Sequence, residues 1–138
     1  MDKNVLKNSW ILAGLLLIIN IIIGLVFLAA VRFFEIGSPS ISGIAGVMGA
    51  MIVGQIYAMN FKEVMSKNLK VCVTTIYIFT QIVLSSLYFL VFGFPNQSLF
   101  FGILIGISLI YSPLIYWLLG SGGKTYLKAM QKIAAVKK

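Results

Sequence analysis

A chain of 138 residues that is 60% hydrophobic and only 10% charged, with a mean hydropathy of +1.03, has no polar surface in which to dress a soluble fold, since soluble domains carry roughly a quarter charged residues. The single Cys72 excludes an internal disulfide, and the absence of histidine removes the commonest zinc ligand and general base. The net charge of +8 does not point to nucleic acid, because the lysines border apolar runs, where anionic lipid headgroups are the nearer partner.

The basic residues are segregated. Lys3 and Lys7 precede the first apolar run, Lys62, Lys67 and Lys70 sit centrally, and Lys124, Lys128, Lys132, Lys137 and Lys138 form a tail; Arg32 stands apart. A span needs about 20 mostly apolar residues to cross about 30 Å of hydrocarbon. Four uncharged stretches are predicted to do so, at about 10–31, 41–60, 71–92 and 99–119, within one membrane domain covering residues 1–138.

The first stretch begins like a secretory signal, with basic residues before apolar ones. Its apolar run is about twice the usual signal length and no small-x-small pattern closes it, so it reads as a retained span. Asn20 falls near its middle. At its far end Arg32 and Glu35, three apart, are spaced to pair on a helix, as a surface ion pair or as a docking point for a partner.

Gly37-Ser38-Pro39-Ser40 reads as a turn. The second stretch carries Ser42, Gly46, Ala50, Gly54 and Ala58 at four-residue intervals, with Ala45 and Gly49 beside them. That spacing stacks small side chains on one helical face and lets another backbone approach, within the chain or across a dimer seam. Gln55 lies low in this span. Between Phe61 and Lys70 a charged connector follows, with Glu63 and Lys67 spaced for a helical ion pair.

The third stretch places Thr74, Gln81 and Ser85 along one stripe, with Gln81 at the depth of Asn20. Gly93 to Ser98 reads as a second turn. The fourth repeats the small-residue device with Gly102 and Gly106, and carries Ser108 near mid-membrane, Ser112 lower down and Pro113, which removes a backbone donor and predicts a kink. The intramembrane amides and hydroxyls serve as interhelical bonds or line a path; ionisable groups, the usual mark of an ion-coupled path, are missing from the spans.

Gly120-Ser121-Gly122-Gly123-Lys124-Thr125 imitates a phosphate-binding loop, but Leu118 occupies the place of its first glycine and no strand precedes it. The glycines predict instead a break, followed by a short amphipathic helix over about 124–136. Lys124, Lys128 and Lys132 form one row of that helix, and Tyr126, Leu127, Met130 and Ile133 turn towards the bilayer.

The predicted fold is therefore all-α: an integral membrane four-helix bundle with a short cytoplasmic amphipathic C-terminal helix. Four spans put both termini and the central connector on one face, the cytoplasmic one by the positive-inside rule. Trp10, Tyr57, Tyr116 and Trp117 mark the same face as an interfacial belt.

Three segments resemble an uncharacterised family of small four-span bacterial inner-membrane proteins. They are the Gly49-Ala50-Met51-Ile52-Val53-Gly54-Gln55-Ile56-Tyr57 run, the Asn60-Phe61-Lys62-Glu63 step, and the tail from Gly122-Gly123-Lys124 to Lys132. The resemblance implies a bacterial inner membrane and no assigned activity.

Two functions fit the sequence. One is a non-catalytic protein that binds a protein partner in or beside the bilayer, as an immunity or accessory subunit does, with anionic lipid headgroups at its cytoplasmic face. The other is a small channel or transporter working as a homodimer, its path lined by Asn20, Gln55, Gln81 and Ser108. Fluoride channels share this length and span count, but the third span lacks their glycine-rich threonine-serine-phenylalanine run. No cofactor, metal or catalytic residue is expected.

Overall fold

The computed structural model describes residues 8–34, 41–92 and 97–136; the side chains at 27, 28, 31, 32, 34, 41–45, 88–92, 97–101, 104 and 136 lie outside that description. It contains four helices, α1 (Ser9–Phe34), α2 (Ile41–Phe61), α3 (Lys67–Phe92) and α4 (Gln97–Val136), and no strand among the described residues. Three of the helices hold windows long and apolar enough to cross a membrane: Ser9–Val26, Lys67–Leu87 and Ile105–Ala135. The described side chains of α2 give a shorter apolar stretch, Gly46–Phe61.

The helix ends follow from their local sequences. Asn8 caps α1, its Oδ1 accepting the Trp10 amide at 3.0 Å while its carbonyl takes the Leu12 amide at 3.2 Å. Ser66 does the same for α3, accepting the Leu69 amide at 3.3 Å through Oγ and the Lys70 amide at 3.0 Å through its carbonyl. At the end of α2, Asn60 Nδ2 donates back to the Ile56 carbonyl at 2.8 Å. Lys62 then turns left-handed with φ 58°, and its amide reaches the Ala58 carbonyl at 2.9 Å. This is the single-bond helix stop in which glycine is usual.

The left-handed turn settles the fate of the expected Glu63 to Lys67 pair. Lys62–Ser66 is a short loop and Lys67 already belongs to α3, so the two residues do not share a helix. The Glu63 carboxylate instead accepts the Tyr57 hydroxyl at 3.3 Å. Met65, buried in the apolar core cluster, anchors the loop.

The most extensive contact is α2 against α4; α1 packs on α2 and α3, and α3 on α4. The buried core lies toward the Lys62–Ser66 loop. It comprises Leu12, Ala13 and Leu16 of α1, Ala50, Val53 and Tyr57 of α2, Val73 and Tyr77 of α3, and Ile115, Leu118 and Leu119 of α4.

The predicted break after the fourth span is corrected by the structure. Helix α4 runs unbroken through Pro113 and through Gly120-Ser121-Gly122-Gly123 to Val136, and Thr125 Oγ1 donates to the Ser121 carbonyl at 3.0 Å across the glycines. A glycine costs a helix roughly 1 kcal/mol relative to alanine. Gly122 and Gly123 persist as helix here because α2 lies directly on them, and a side chain at that contact would prevent the packing. The residues 124–136 are thus a continuation of α4 rather than a separate helix behind a hinge.

Candidate functional site

Two clusters occupy the interior. In the first, small residues bring two backbones together. A Cβ at Gly54 of α2 would collide with the Leu119 carbonyl oxygen of α4, and one at Gly122 would collide with the Met51 carbonyl oxygen of α2. From the position a Cβ would take at Gly123, the Gly54 oxygen lies at 3.2 Å and the Ala58 methyl at 3.5 Å. Glycines on both helices are therefore required for the approach; between helices in lipid, such close contact supplies dispersion in place of a hydrophobic drive.

Of the other small residues expected at a helix contact, Ala50 is fully buried in the core. Gly49 turns to α1, where Leu16 Cδ1 is 3.4 Å and the Asn20 amide nitrogen 3.7 Å from its Cβ position, and Gly46 faces the Tyr77 hydroxyl at 3.8 Å. Gly102 and Gly106 have no described atom within 4 Å. The Ser42 side chain, and the Arg32 and Glu35 pair, lie outside the described residues.

The second cluster is polar. The Tyr77 hydroxyl receives Asn20 Nδ2 from α1 and Gln81 Nε2, the latter at 3.4 Å from one turn along α3. Asn20 and Gln81, matched in depth by sequence, do come together, through a tyrosine that the sequence reading does not single out. Its position four residues before Gln81 was the available signal. Thr80 and Ser86 bond the carbonyls of Ile76 and Ile82 at 2.8 Å and 2.7 Å, each within its own helix. Thr74, 3% exposed, has an Oγ1 with no hydrogen-bond partner among the described residues. Gln55, Ser108 and Ser112 are half-buried.

A third feature lies at the loop end. Lys70 Nζ of α3 sits 4.3 Å from the centre of the Tyr116 ring, and Lys62 Nζ sits 5.9 Å from that of Tyr126, both rings belonging to α4. The central and C-terminal lysine segments are therefore neighbours in space. Lys124, Lys128 and Lys132 are exposed along α4. Among the described residues no group of His, Cys, Asp and Glu is placed to hold a metal.

The glycine-lysine segment that imitates a phosphate loop is helix interior, with Gly122 and Gly123 buried under α2. Its backbone donors are not free to cradle a phosphate. Neither a family model, nor a curated protein, nor a solved structure matches this chain.

Proposed function

We propose that this chain is a non-catalytic four-span protein of a bacterial inner membrane, with both termini and the Lys62–Ser66 loop cytoplasmic, that acts by binding a protein partner within the bilayer. One observation carries the choice of binding over conduction. The intramembrane amides that would best line a path, Asn20 and Gln81, are both committed to the Tyr77 hydroxyl, and the Thr80 and Ser86 hydroxyls to their own helix. A conduit needs such groups turned to a lumen; here Asn20 ties α1 to α3 through Tyr77, and the others bond within α3.

The contacts of Lys62 and Lys70 with α4 support a single basic face, which the positive-inside rule assigns to the cytoplasm. For the partner, the outer part of α4 is the natural seat: Gly102 and Gly106 have no described neighbour within 4 Å, and Leu109 and Ile110 are 70% and 72% exposed. A photo-crosslinker at Ile107 is expected to capture a discrete membrane protein in cells, and Gly106→Leu to abolish the adduct while the protein still inserts. Liposomes containing the purified protein should pass no solute; selective flux lost on Asn20→Leu would overturn the binding reading in favour of a channel.

A further inference from the structure

The loop end carries a concentration of positive charge that its own residues do not balance. Lys62, Lys67, Lys70, Lys124, Lys128 and Lys132 meet a single described carboxylate there, Glu63, which is engaged by Tyr57. Lys70 differs from the rest. It is half-buried between α3 and α4, its ammonium over the Tyr116 ring at 4.3 Å. The space is kept open by Gly120, whose Cβ would come within 3.0 Å of Nζ. The ring face offsets charge but accepts none of its three N–H donors, which have no acceptor among the described residues.

Helical spacing places two more lysines beside it. Lys67 is one turn nearer the loop on α3, and Lys124 is one turn beyond Gly120 on α4. In the opposite direction, Trp117, Leu114 and Ile110 recur at three- and four-residue steps along α4 and are 64%, 38% and 72% exposed. The cationic end of the α3–α4 contact is thus followed along α4 by an exposed apolar row.

We propose that this α3–α4 groove is a discrete binding site for one anionic phospholipid. Lys70, with Lys67 and Lys124, takes the phosphodiester, and the acyl chains lie along Trp117, Leu114 and Ile110. The site differs from a diffuse attraction of the exposed Lys124, Lys128 and Lys132 row, because it requires the half-buried Lys70 and the gap at Gly120. The apolar row selects a lipid over a soluble anion or an acidic peptide. The proposal rests on the reading that the basic end faces a headgroup layer.

The test uses the full chain, purified in detergent and examined by native mass spectrometry with phosphatidylglycerol, phosphatidylcholine or inorganic phosphate added. One phosphatidylglycerol should remain bound, in preference to phosphatidylcholine. Lys70→Gln should weaken its retention about fivefold, the value of one lysine at a lipid surface, while Lys128→Gln changes it little and Lys70→Arg restores it. Gly120→Val, which fills the gap and leaves every charge in place, provides a second probe if Lys70→Gln fails to fold; it too should release the lipid.

Equal losses from Lys70→Gln and Lys128→Gln, equal retention of phosphatidylcholine, or full displacement by inorganic phosphate or by a short polyglutamate peptide would each overturn the site. Accessibility of cysteines introduced at Lys67 and Asn96 reads the topology separately. Reversed labelling with lipid still retained in detergent removes the topology and not the site, and normal labelling without retention removes the site alone.

Discussion

The two halves of this molecule are built differently. Toward the Lys62–Ser66 loop, α2 and α4 meet backbone to backbone at Gly54, Gly122 and Gly123, and every buried core residue lies within this half or at its inner limit. In the outer half, no described side chain is buried between Leu17 and Phe33 of α1, Ile78 and Leu87 of α3, or Gly102 and Leu114 of α4. Apolar composition does not explain the difference, since the lysines gather in the better-packed half. What differs is how closely backbones approach, which in lipid decides where packing stabilises a fold. The inner half is held by its own contacts, and the outer half presents large side chains to whatever surrounds it.

The sharpest way to break this contrast is to add bulk to glycines on either side of it. Gly122→Leu or Gly54→Leu is expected to cost about 3 kcal/mol or more, because the obstructing atoms are backbone and cannot rotate away. Gly102→Leu should leave the isolated protein as stable as wild type. Unfolding in mixed detergent micelles reads both, and equal effects would erase the distinction.

Deleting side chains probes the same division from the other direction. Leu119→Ala, at a fully buried position, should cost about 2–5 kcal/mol. Leu109→Ala, where the side chain is 70% exposed, should stay within about 0.5 kcal/mol. A costly Leu109→Ala in monodisperse monomer would mean that the outer half is packed after all.

The inner end also contains one unfavourable element. Lys62 holds a left-handed conformation at φ 58°, and a non-glycine residue there costs roughly 1 kcal/mol. Lys62→Gly should therefore raise stability by about that amount, less the distant contact of its amine with Tyr126; a decrease would show that this cation–ring contact outweighs the backbone cost.

The smallest expected effects lie in the polar cluster between the halves. Thr74→Val removes a buried hydroxyl that has no partner among the described residues and should be neutral or stabilising by up to about 1 kcal/mol. Asn20→Leu should cost about 0.6 kcal/mol, the usual worth of one bond between membrane helices. A loss above about 2 kcal/mol would mark the Tyr77 cluster as a main anchor of the fold rather than a local tie.

Much of this architecture was legible in the residues. Ser9–Phe34 and Ile41–Phe61 lie within a few residues of the predicted 10–31 and 41–60 stretches, because apolar length and flanking punctuation are local properties. Asn20 and Gln81 could be matched by depth alone. The Gly120–Gly123 segment was misread for an equally physical reason. Glycine lowers helix propensity locally, so a run of glycines reads as a stop, yet the same missing side chain is what allows a second helix to lie on top. Which effect wins depends on a neighbour more than 60 residues away in the chain.

The sequence by itself determined that the chain is helical and apolar enough for a membrane, and that its lysines fall into separate segments. Those properties follow from composition and spacing, with no need of a partner. Only the tertiary structure decided which glycines are contacts and which are open, that Tyr77 joins Asn20 to Gln81, and that Lys70 enters a gap beside Tyr116. Small residues, amides and lysines each admit several uses at the same spacing, and the choice among them is made by whichever helix comes to lie alongside.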